Sequence, residues 1–191
     1  ATEDEEPHCG CDAGAEYALY ASDITRTWPV SGTFSTAQRA LYEVVLAAQT
    51  ESIRAARVGV PYEAIHATAV AVLTEGLLSL GLLKGALKKN IETETYKTFY
   101  MHKTGHWLGL DVHDVGEYKL GGKSRQLEPG MVFTVEPGLY IAPGTPGVPA
   151  KYQGIGIRIE DDILMTKNGP ENLTSGVPVS ADAIEALMAK P

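Results

Sequence analysis

Three of the five histidines in this chain lie within twelve positions, at His102, His106 and His113. Imidazole binds metals and transfers protons near neutral pH, so this density indicates a site with metal or acid–base chemistry. The helical zinc motif requires Glu directly after the first His of its pair, but Lys103 occupies that position. We therefore expect the histidines to project from a strand or loop into a shared cleft.

Two acidic residues follow apolar runs. Glu136 comes directly after Val135, and Glu160 comes directly after Ile159. A carboxylate on a half-buried strand must be paired or metal-bound, because burying it bare costs several kcal/mol. For Glu160 the alternative is an ion pair with Arg158, which lies two residues earlier on the same strand face.

Two further carboxylates lie upstream. Asp12 and Asp23 are separated by 23 − 12 = 11 residues, about the span of two paired strands and their turn. Both could face one cleft, whereas the ordinary alternative for either is a turn-capping aspartate.

Two helices should support these segments. Ser35 and Gln38 fit a capping box, and the helix it starts should end before the segment 58–61. Pro61 suits the first turn of a second helix that ends near Gly81, and His66 on that helix is expected to be structural. The apolar positions at helical spacing are Leu41, Val44, Val45, Ala48 and Ile53 in the first helix and Ile65, Ala69, Val72, Leu73 and Leu77 in the second.

Strand patterns occupy other parts of the chain. Residues 16–30 read as two short strands or a hairpin, and glycine-punctuated strands follow the second helix, with apolar runs at 131–135 and 154–160. A short helix at about 180–188 closes the chain. Because helices and strands are segregated, the sequence predicts an α+β fold with helices packed on a curved antiparallel sheet.

Composition limits the possible functions. The chain has 191 residues, 44% of them hydrophobic, which suits one domain with its own core. Its net charge of −8 argues against a general nucleic-acid binder. No apolar stretch approaches the length of a membrane span, and the acidic N-terminus lacks a signal-peptide pattern, so we expect no membrane partner and a cytoplasmic setting. Cys9 and Cys11 are too close for an easy mutual bridge, which suits reducing conditions.

Five ordered blocks resemble the Xaa-Pro aminopeptidases of the pita-bread metallopeptidase family. They cover the chain from Asp12 to beyond Glu160, and their order makes the signal more specific than any single motif. The blocks are DAG at 12–14, YASDITRT at 20–27, TGHWLGLDVHDVG at 104–116, LEPGMVFTVEPGLYI at 127–141 and GIGIRIEDD at 154–162.

The resemblance implies a fold, a site and an activity. The fold is the pita-bread (creatinase and methionine aminopeptidase-like) fold, and the activity is hydrolysis of the N-terminal Xaa-Pro bond by a metal-bridged hydroxide. Oxygen ligands with one imidazole suit two Mn²⁺ ions and also admit Zn²⁺ or Co²⁺. The implied metal ligands are Asp12, Asp23, His106, Glu136 and Glu160, with Asp23 and Glu160 bridging.

Other site residues follow from the same resemblance. His102 and His113 correspond to residues that contact substrate and assist catalysis by hydrogen bonding or proton transfer, and Tyr140 is expected to line the substrate pocket. Outer partners that orient the carboxylates lie two residues from them on the same strand faces. These partners are Thr25, Thr134 and Arg158.

The chain departs from the family pattern at its start. The family's separate N-terminal domain and the first portion of its fold have no counterpart here. Residues 1–11 are acidic, with Pro7 and Gly10, and make a poor buried strand, so we expect an atypical or frayed segment there and a partial catalytic domain at 12–191. His8, Cys9 and Cys11 could instead form a soft metal site, which we disfavour because zinc prefers four ligands. An exposed sheet edge would permit a homo-oligomer.

Two rival functions remain open. A prolidase, which cleaves Xaa-Pro dipeptides, shares the histidine-rich block and all five ligands. A truncated, non-catalytic interaction module on the same fold could also retain them. Peptides with proline at the second position are the expected partners of the leading alternative.

Overall fold

The structure, a computed structural model, describes residues 8–189. Its core consists of helices packed on short antiparallel strand pairs, as the α+β prediction requires. In chain order the elements are β1 (His8–Ala13), β2 (Glu16–Tyr17), β3 (Tyr20–Ala21), β4 (Ile24–Pro29), α1 (Thr36–Ala55), α2 (Glu63–Ser79), α3 (Leu87–Glu92), β5 (Lys119–Leu120), β6 (Lys123–Ser124), β7 (Val132–Val135), β8 (Gly138–Tyr140), β9 (Gly156–Arg158), β10 (Asp161–Thr166), β11 (Gly169–Asn172) and α4 (Ala181–Met188).

Helix α1 starts as the sequence predicts. The Ser35 hydroxyl accepts from the Gln38 amide, and the Gln38 side chain accepts from the Ser35 amide, which completes the capping box. Helix α2 packs against α1, and Gly76 is required at their contact because a Cβ there would lie 2.3 Å from a methyl group of Val44. Apolar side chains from both helices, including Leu41 and Leu73, are fully buried beneath the strands.

The start of α2 differs from the prediction. Pro61 precedes the helix, which begins at Glu63, and its backbone instead forms an isolated bridge with Gln126. The amide of Tyr62 donates to the Arg125 carbonyl. These contacts bind the chain to the segment after β6, so the helix starts two residues later than a proline at the first helical position would imply.

The strands form several short antiparallel pairs rather than one continuous sheet. β4 pairs with β1, β7 and β11 flank β10, and β8 pairs with β9. The two small hairpins are β2–β3 and β5–β6. Within residues 8–189, none of the helices combines the length and apolar character needed to cross a bilayer.

The N-terminal segment is ordered where the structure describes it. His8–Ala13 pairs with Ile24–Pro29, so the expectation of a frayed end is wrong for residues 8–11, whereas residues 1–7 lie outside the described part. The segment tolerates Gly10 because β1 is largely exposed, and no buried strand has to form. The His8 ring accepts from the Gly156 amide, while Cys9 and Cys11 are exposed on the opposite strand face. These three side chains therefore do not converge.

Candidate metal centre and its cavity

Glu136 and Glu160 lie at facing interruptions of the strand ladder. Glu136 separates β7 from β8, and Glu160 separates β9 from β10, while β7 pairs with β10 and β8 pairs with β9. Pro137 has no N–H group, so it cannot donate to a continuous ladder at this point. Both carboxylates consequently project from the junction between two strand pairs.

The backbone groups freed by these interruptions bind neighbouring segments. The Glu160 amide donates to the Thr25 carbonyl at 3.1 Å, which brings β4 beside the junction. The Glu136 amide donates to the Thr104 carbonyl at 2.8 Å, and the Thr134 amide donates to the His106 carbonyl at 2.9 Å. The histidine-bearing loop therefore runs along β7, and its approach is close because Gly105 has no side chain.

Four of the predicted ligands meet at this junction. Ligand atoms of Asp23, His106 and Glu160 all lie within 4.8 Å of one another. The Nε2 atom of His106 lies 3.3 Å from an Asp23 oxygen and 3.7 Å from a Glu136 oxygen. Residues that are distant in sequence therefore form one cluster with three carboxylates and an imidazole.

The imidazole of His106 is oriented for ligation. Its Nδ1 atom lies 3.0 Å from the Trp107 carbonyl, which can only accept, so Nδ1 carries the hydrogen. In the neutral ring the Nε2 lone pair then faces the carboxylates. A lone pair beside two carboxylate oxygens requires a positive charge between them, which a proton or a metal ion can supply.

Asp12 adjoins this cluster from the exposed strand β1. Arg158 donates to its carboxylate, and Arg158 also lies 3.8 Å from a Glu136 oxygen. The carboxyl of Asp12 is close enough to that of Asp23 to contribute to the raised pKa of Asp23. Asp12 thus lies beside Asp23, His106 and Glu160, the three residues that converge most closely, and the guanidinium of Arg158 holds it there.

The charges of the cluster favour a cation. Burial and then the neighbouring carboxylates raise the pKa of Glu160 to about 8, and burial is likewise the main cause of the raised pKa values of Asp23 and Glu136. The pKa of a buried carboxylate is raised when too little positive charge lies nearby to stabilise its ionised form. Because the donors are hard oxygens with one imidazole, the set fits divalent metal ions of the Mn²⁺, Co²⁺ or Zn²⁺ type.

The three expected outer partners all contact this cluster. The Thr25 hydroxyl donates to Glu160 and accepts from Nε of Arg158. The Thr134 hydroxyl accepts from the His106 amide at 3.1 Å and lies 3.5 Å from a Glu136 oxygen. Each side chain thereby restricts the orientation of a predicted ligand.

Two further residues were not singled out from the sequence. A carboxylate oxygen of Asp162 accepts from the Asp23 amide at 3.1 Å, and its buried environment raises its pKa to about 6. Arg26 is buried, donates to the carbonyls of Thr25 and Glu160, and pairs with Asp161 at 2.7 Å. In the sequence, Asp162 stands out only as part of the acidic run after Glu160, and Arg26 only as the arginine of the block at 20–27. The residues that they contact are distant in sequence, so the contacts could not be predicted.

Two of the three predicted substrate residues, His102 and His113, line the cavity beside the cluster, whereas Tyr140 contacts His102 and is not part of the cavity wall. Nδ1 of His102 faces the Lys103 carbonyl at 2.6 Å, so its Nε2 accepts from the Tyr140 hydroxyl at 2.9 Å. Burial lowers the pKa of His102, which favours this neutral form. The ring of His113 meets the edge of the His106 ring at 4.4 Å between centroids.

A cavity of about 740 Å³ opens beside the cluster. His102, His106, His113, Glu136 and Arg158 contribute to its wall. It continues away from the carboxylates to the first turns of α2 and the β5–β6 hairpin, where Tyr62, His66 and Lys119 line it. This volume is typical of a small-molecule or peptide site.

Comparison with known proteins supports the resemblance found in the sequence. The chain is 52% identical to the Xaa-Pro aminopeptidase of Escherichia coli and 51% identical to that of Haemophilus influenzae, over 93% of this chain in each case. It spans 40% and 41% of those relatives, so it corresponds to about two fifths of their length.

Solved structures show the same fold. Over 95% of this chain and 41% of the other, it matches the aminopeptidase PepP of Pseudomonas aeruginosa with a TM-score of 0.94 and 54% identity. A zinc-substituted E. coli aminopeptidase P in complex with product matches with a TM-score of 0.90 and 51% identity. The predicted pita-bread fold is therefore confirmed for the part of the fold that this chain contains.

The family follows from a match along most of the chain. The model of metallopeptidase family M24 matches residues 6–167, which include β1 and all of the clustered carboxylates and histidines. This chain belongs to metallopeptidase family M24.

Proposed function

We propose that this chain is the metal-binding catalytic part of an Xaa-Pro aminopeptidase. The observation that carries the proposal is the convergence of Asp23, His106 and Glu160 beside Glu136, at the wall of a peptide-sized cavity. The names of the relatives in E. coli and H. influenzae supply the substrate class, a peptide with proline at its second position.

The proposed site would hold two divalent ions. The residues that would hold them are Asp12, Asp23, His106, Glu136 and Glu160. Bound ions of this kind supply a water of lowered pKa as nucleophile and polarise the scissile carbonyl. Mn²⁺ is the ion that we propose first, and the zinc-substituted E. coli relative supports Zn²⁺ as an alternative in this fold.

Side chains in and beside the cavity would position the peptide. The Tyr140 hydroxyl, which donates to the neutral His102 next to the cavity wall, would turn to a substrate oxygen when the peptide binds. His113 is exposed and contacts the ring of His106, which supports a role in hydrogen bonding or proton transfer at the substrate. Thr25 and Thr134 keep the carboxylate and imidazole groups in position while the peptide binds.

Two assays separate this proposal from its rivals. Protein loaded with Mn²⁺ is given the dipeptide Ala-Pro and, in parallel, the tripeptide Ala-Pro-Ala. Faster cleavage of the tripeptide is expected, whereas a clear preference for the dipeptide would indicate a prolidase. Metal analysis of the same purified protein gives the number of bound ions. Two bound ions per chain without cleavage of either peptide would indicate the non-catalytic module.

The proposal extends to setting and assembly. Exposed, unbridged Cys9 and Cys11 suit a reducing compartment, and we place the protein in the cytoplasm. Among the described strands β1 forms backbone ladder pairs only with β4, and we propose that its other edge pairs with a second copy. Light scattering at several concentrations tests this, and a monomer throughout would exclude the homo-oligomer.

A further inference from the structure

Two polar groups at the start of α2 line the cavity, one on Tyr62, which directly precedes the helix, and one on His66 in its first turn, and neither belongs to the metal cluster. The Tyr62 hydroxyl is buried and has no hydrogen-bond partner among the described residues. His66 follows one helical turn later, so both side chains lie on the same face of the helix. Both contribute to the cavity wall together with Thr104 and Gly105.

The Tyr62 hydroxyl is fixed in place. Its ring packs on Trp107 at 4.6 Å, on Tyr118 at 5.3 Å and on Phe133 at 5.7 Å between centroids. The hydroxyl oxygen would lie 3.2 Å from a Cβ added at Gly105, which places it against the residue before His106. A buried hydroxyl without a partner costs free energy, so its retention on a cavity wall calls for an explanation.

A chain of hydrogen bonds fixes the tautomer of His66. Thr104 Oγ1 lies 2.6 Å from the Tyr100 hydroxyl and 2.8 Å from Nδ1 of His66. Tyr100 is fully buried, and within residues 8–189 its hydroxyl has no other hydrogen-bond partner, so its hydrogen must go to Thr104. Thr104 then donates to Nδ1 of His66, since this arrangement leaves no hydrogen without an acceptor.

The same argument assigns a donor to the cavity. Because Nδ1 of the neutral ring accepts, Nε2 of His66 carries the hydrogen. Burial and the nearby Lys103 keep the ring neutral by lowering its pKa to about 4. The wall near α2 therefore presents two fixed donors, the Tyr62 hydroxyl and the His66 Nε2–H group.

We propose that Tyr62 and His66 form a subsite that binds an sp² oxygen of the peptide substrate, and that this oxygen belongs to a free C-terminal carboxylate of a short peptide. Among the charged residues of the cavity wall, Lys103, Lys119 and Arg158 outnumber Glu63 and Glu136, which favours an anionic oxygen over a neutral carbonyl. This inference rests on the proposed peptidase function. Tyr62 and His66 act as substrate-positioning residues, and they take no part in the chemical step.

Paired substitutions at His66 separate this role from a merely structural one. His66→Asn keeps an acceptor at the Nδ1 position for Thr104 but removes the donor at Nε2. His66→Gln keeps an N–H donor near the Nε2 position but removes the acceptor for Thr104. Tyr62→Phe removes only the hydroxyl, and Tyr152→Phe, outside the cavity, is its matched control.

The readout is the split between KM and kcat on Mn²⁺-loaded protein, with Ala-Pro-Ala as the free acid and as its C-terminal amide. We expect Tyr62→Phe and His66→Asn to raise KM for the free acid about tenfold, as expected for a lost hydrogen bond to a charged group, with little change in kcat. His66→Gln should stay near the unmodified chain. The preference for the acid over the amide should disappear in the two impaired variants.

Each other outcome has a defined meaning. An equal rise in KM for acid and amide supports the subsite but assigns the oxygen to a main-chain carbonyl. Unchanged KM in Tyr62→Phe and His66→Asn overturns the subsite, as does a loss in His66→Gln alone, which would indicate a structural role. If calorimetry shows that the unmodified, metal-loaded chain binds neither peptide, the proposed function fails together with this inference.

Discussion

Thr25 and Glu160 bind each other through both backbone and side chain. The Glu160 amide donates to the Thr25 carbonyl, and the Thr25 hydroxyl donates to the Glu160 carboxylate. The same hydroxyl accepts from Arg158. A carboxylate that we propose as a metal ligand is therefore held in one orientation by a strand from the other end of the chain.

Replacing Thr25 with Val should weaken metal binding. The substitution keeps the shape of the side chain but removes the hydroxyl that orients Glu160, and loss of such a partner typically costs 10–100-fold in metal affinity, so about that loss is expected. Calorimetric titration with Mn²⁺ measures it. Thr74→Val is the matched control, because Thr74 is also buried but its hydroxyl donates to Val70 within α2, far from the cluster. Equal Mn²⁺ affinities in both variants would contradict the role given to Thr25.

Metal ions should stabilise the folded chain. At a free ion concentration of about 100 times Kd, binding to the native state alone adds about 2.7 kcal/mol to the free energy of unfolding. Thermal unfolding with and without Mn²⁺ should show this gain in the unmodified chain and a much smaller one in Glu160→Gln. Glu171→Gln, at an exposed position of β11, is the control that should keep the full gain. A gain of equal size in Glu160→Gln would remove Glu160 from the ligand set.

Without metal, stability should fall as pH rises from 6.5 to 8. The pKa of Glu160 is raised to about 8, so the native state retains a proton that the unfolded chain releases above its ordinary pKa of 4.5. The free energy of unfolding therefore decreases as pH rises, by at most about 1.4 kcal/mol for each pH unit, until pH passes the pKa of Glu160 in the native state.

The pH window limits the contribution of the histidines. Burial lowers the pKa values of His8, His66 and His102, so their stabilising contribution is lost as pH falls through the ordinary value of 6.5, and the small part still gained above 6.5 is opposite in sign to the effect of Glu160. Urea unfolding of metal-free protein at pH 6.5, 7.2 and 8 should show the slope, and Glu160→Gln should largely abolish it. A flat profile in the unmodified chain would show that Glu160 is already ionised at pH 6.5.

Gly105→Ala adds only one methyl group, but it should disrupt the site. The added Cβ would lie 2.0 Å from the Thr134 carbonyl oxygen, so the histidine-bearing loop would have to move away from β7. We expect a loss of roughly 1–3 kcal/mol in stability, together with weaker Mn²⁺ binding because His106 is the next residue. Gly176→Ala is the control, since a Cβ there meets nothing within 4 Å. Unfolding and Mn²⁺ titration of both variants test this, and equal behaviour would contradict the close approach.

The sequence predicted those features that depend on local pattern. The capping box at Ser35 and the helical spacing that follows it are confirmed, because both are set by residues a few positions apart. The spacing of Asp12 and Asp23 correctly indicated two paired strands. The identity of the metal ligands stays a prediction, although the structure brings four of the five candidates together around His106.

Long-range contacts could not be read in the same way. The delayed start of α2 depends on Pro61 pairing with Gln126, and the strand at His8 depends on pairing with Pro29. The environment of Asp162 depends on the Asp23 amide, which is also remote in sequence. No local propensity encodes these partners, so a structure was needed to find them.

The facing interruptions at Glu136 and Glu160 have a consequence for biosynthesis. The strands on either side of them can pair only after β9 and β10 have left the ribosome, near the end of translation of this stretch. A nascent chain that ends before Glu160 lacks one of the proposed metal ligands. The proposed metal site can therefore be completed only late in the synthesis of this stretch, so bound cations would not nucleate the folding of the earlier segments.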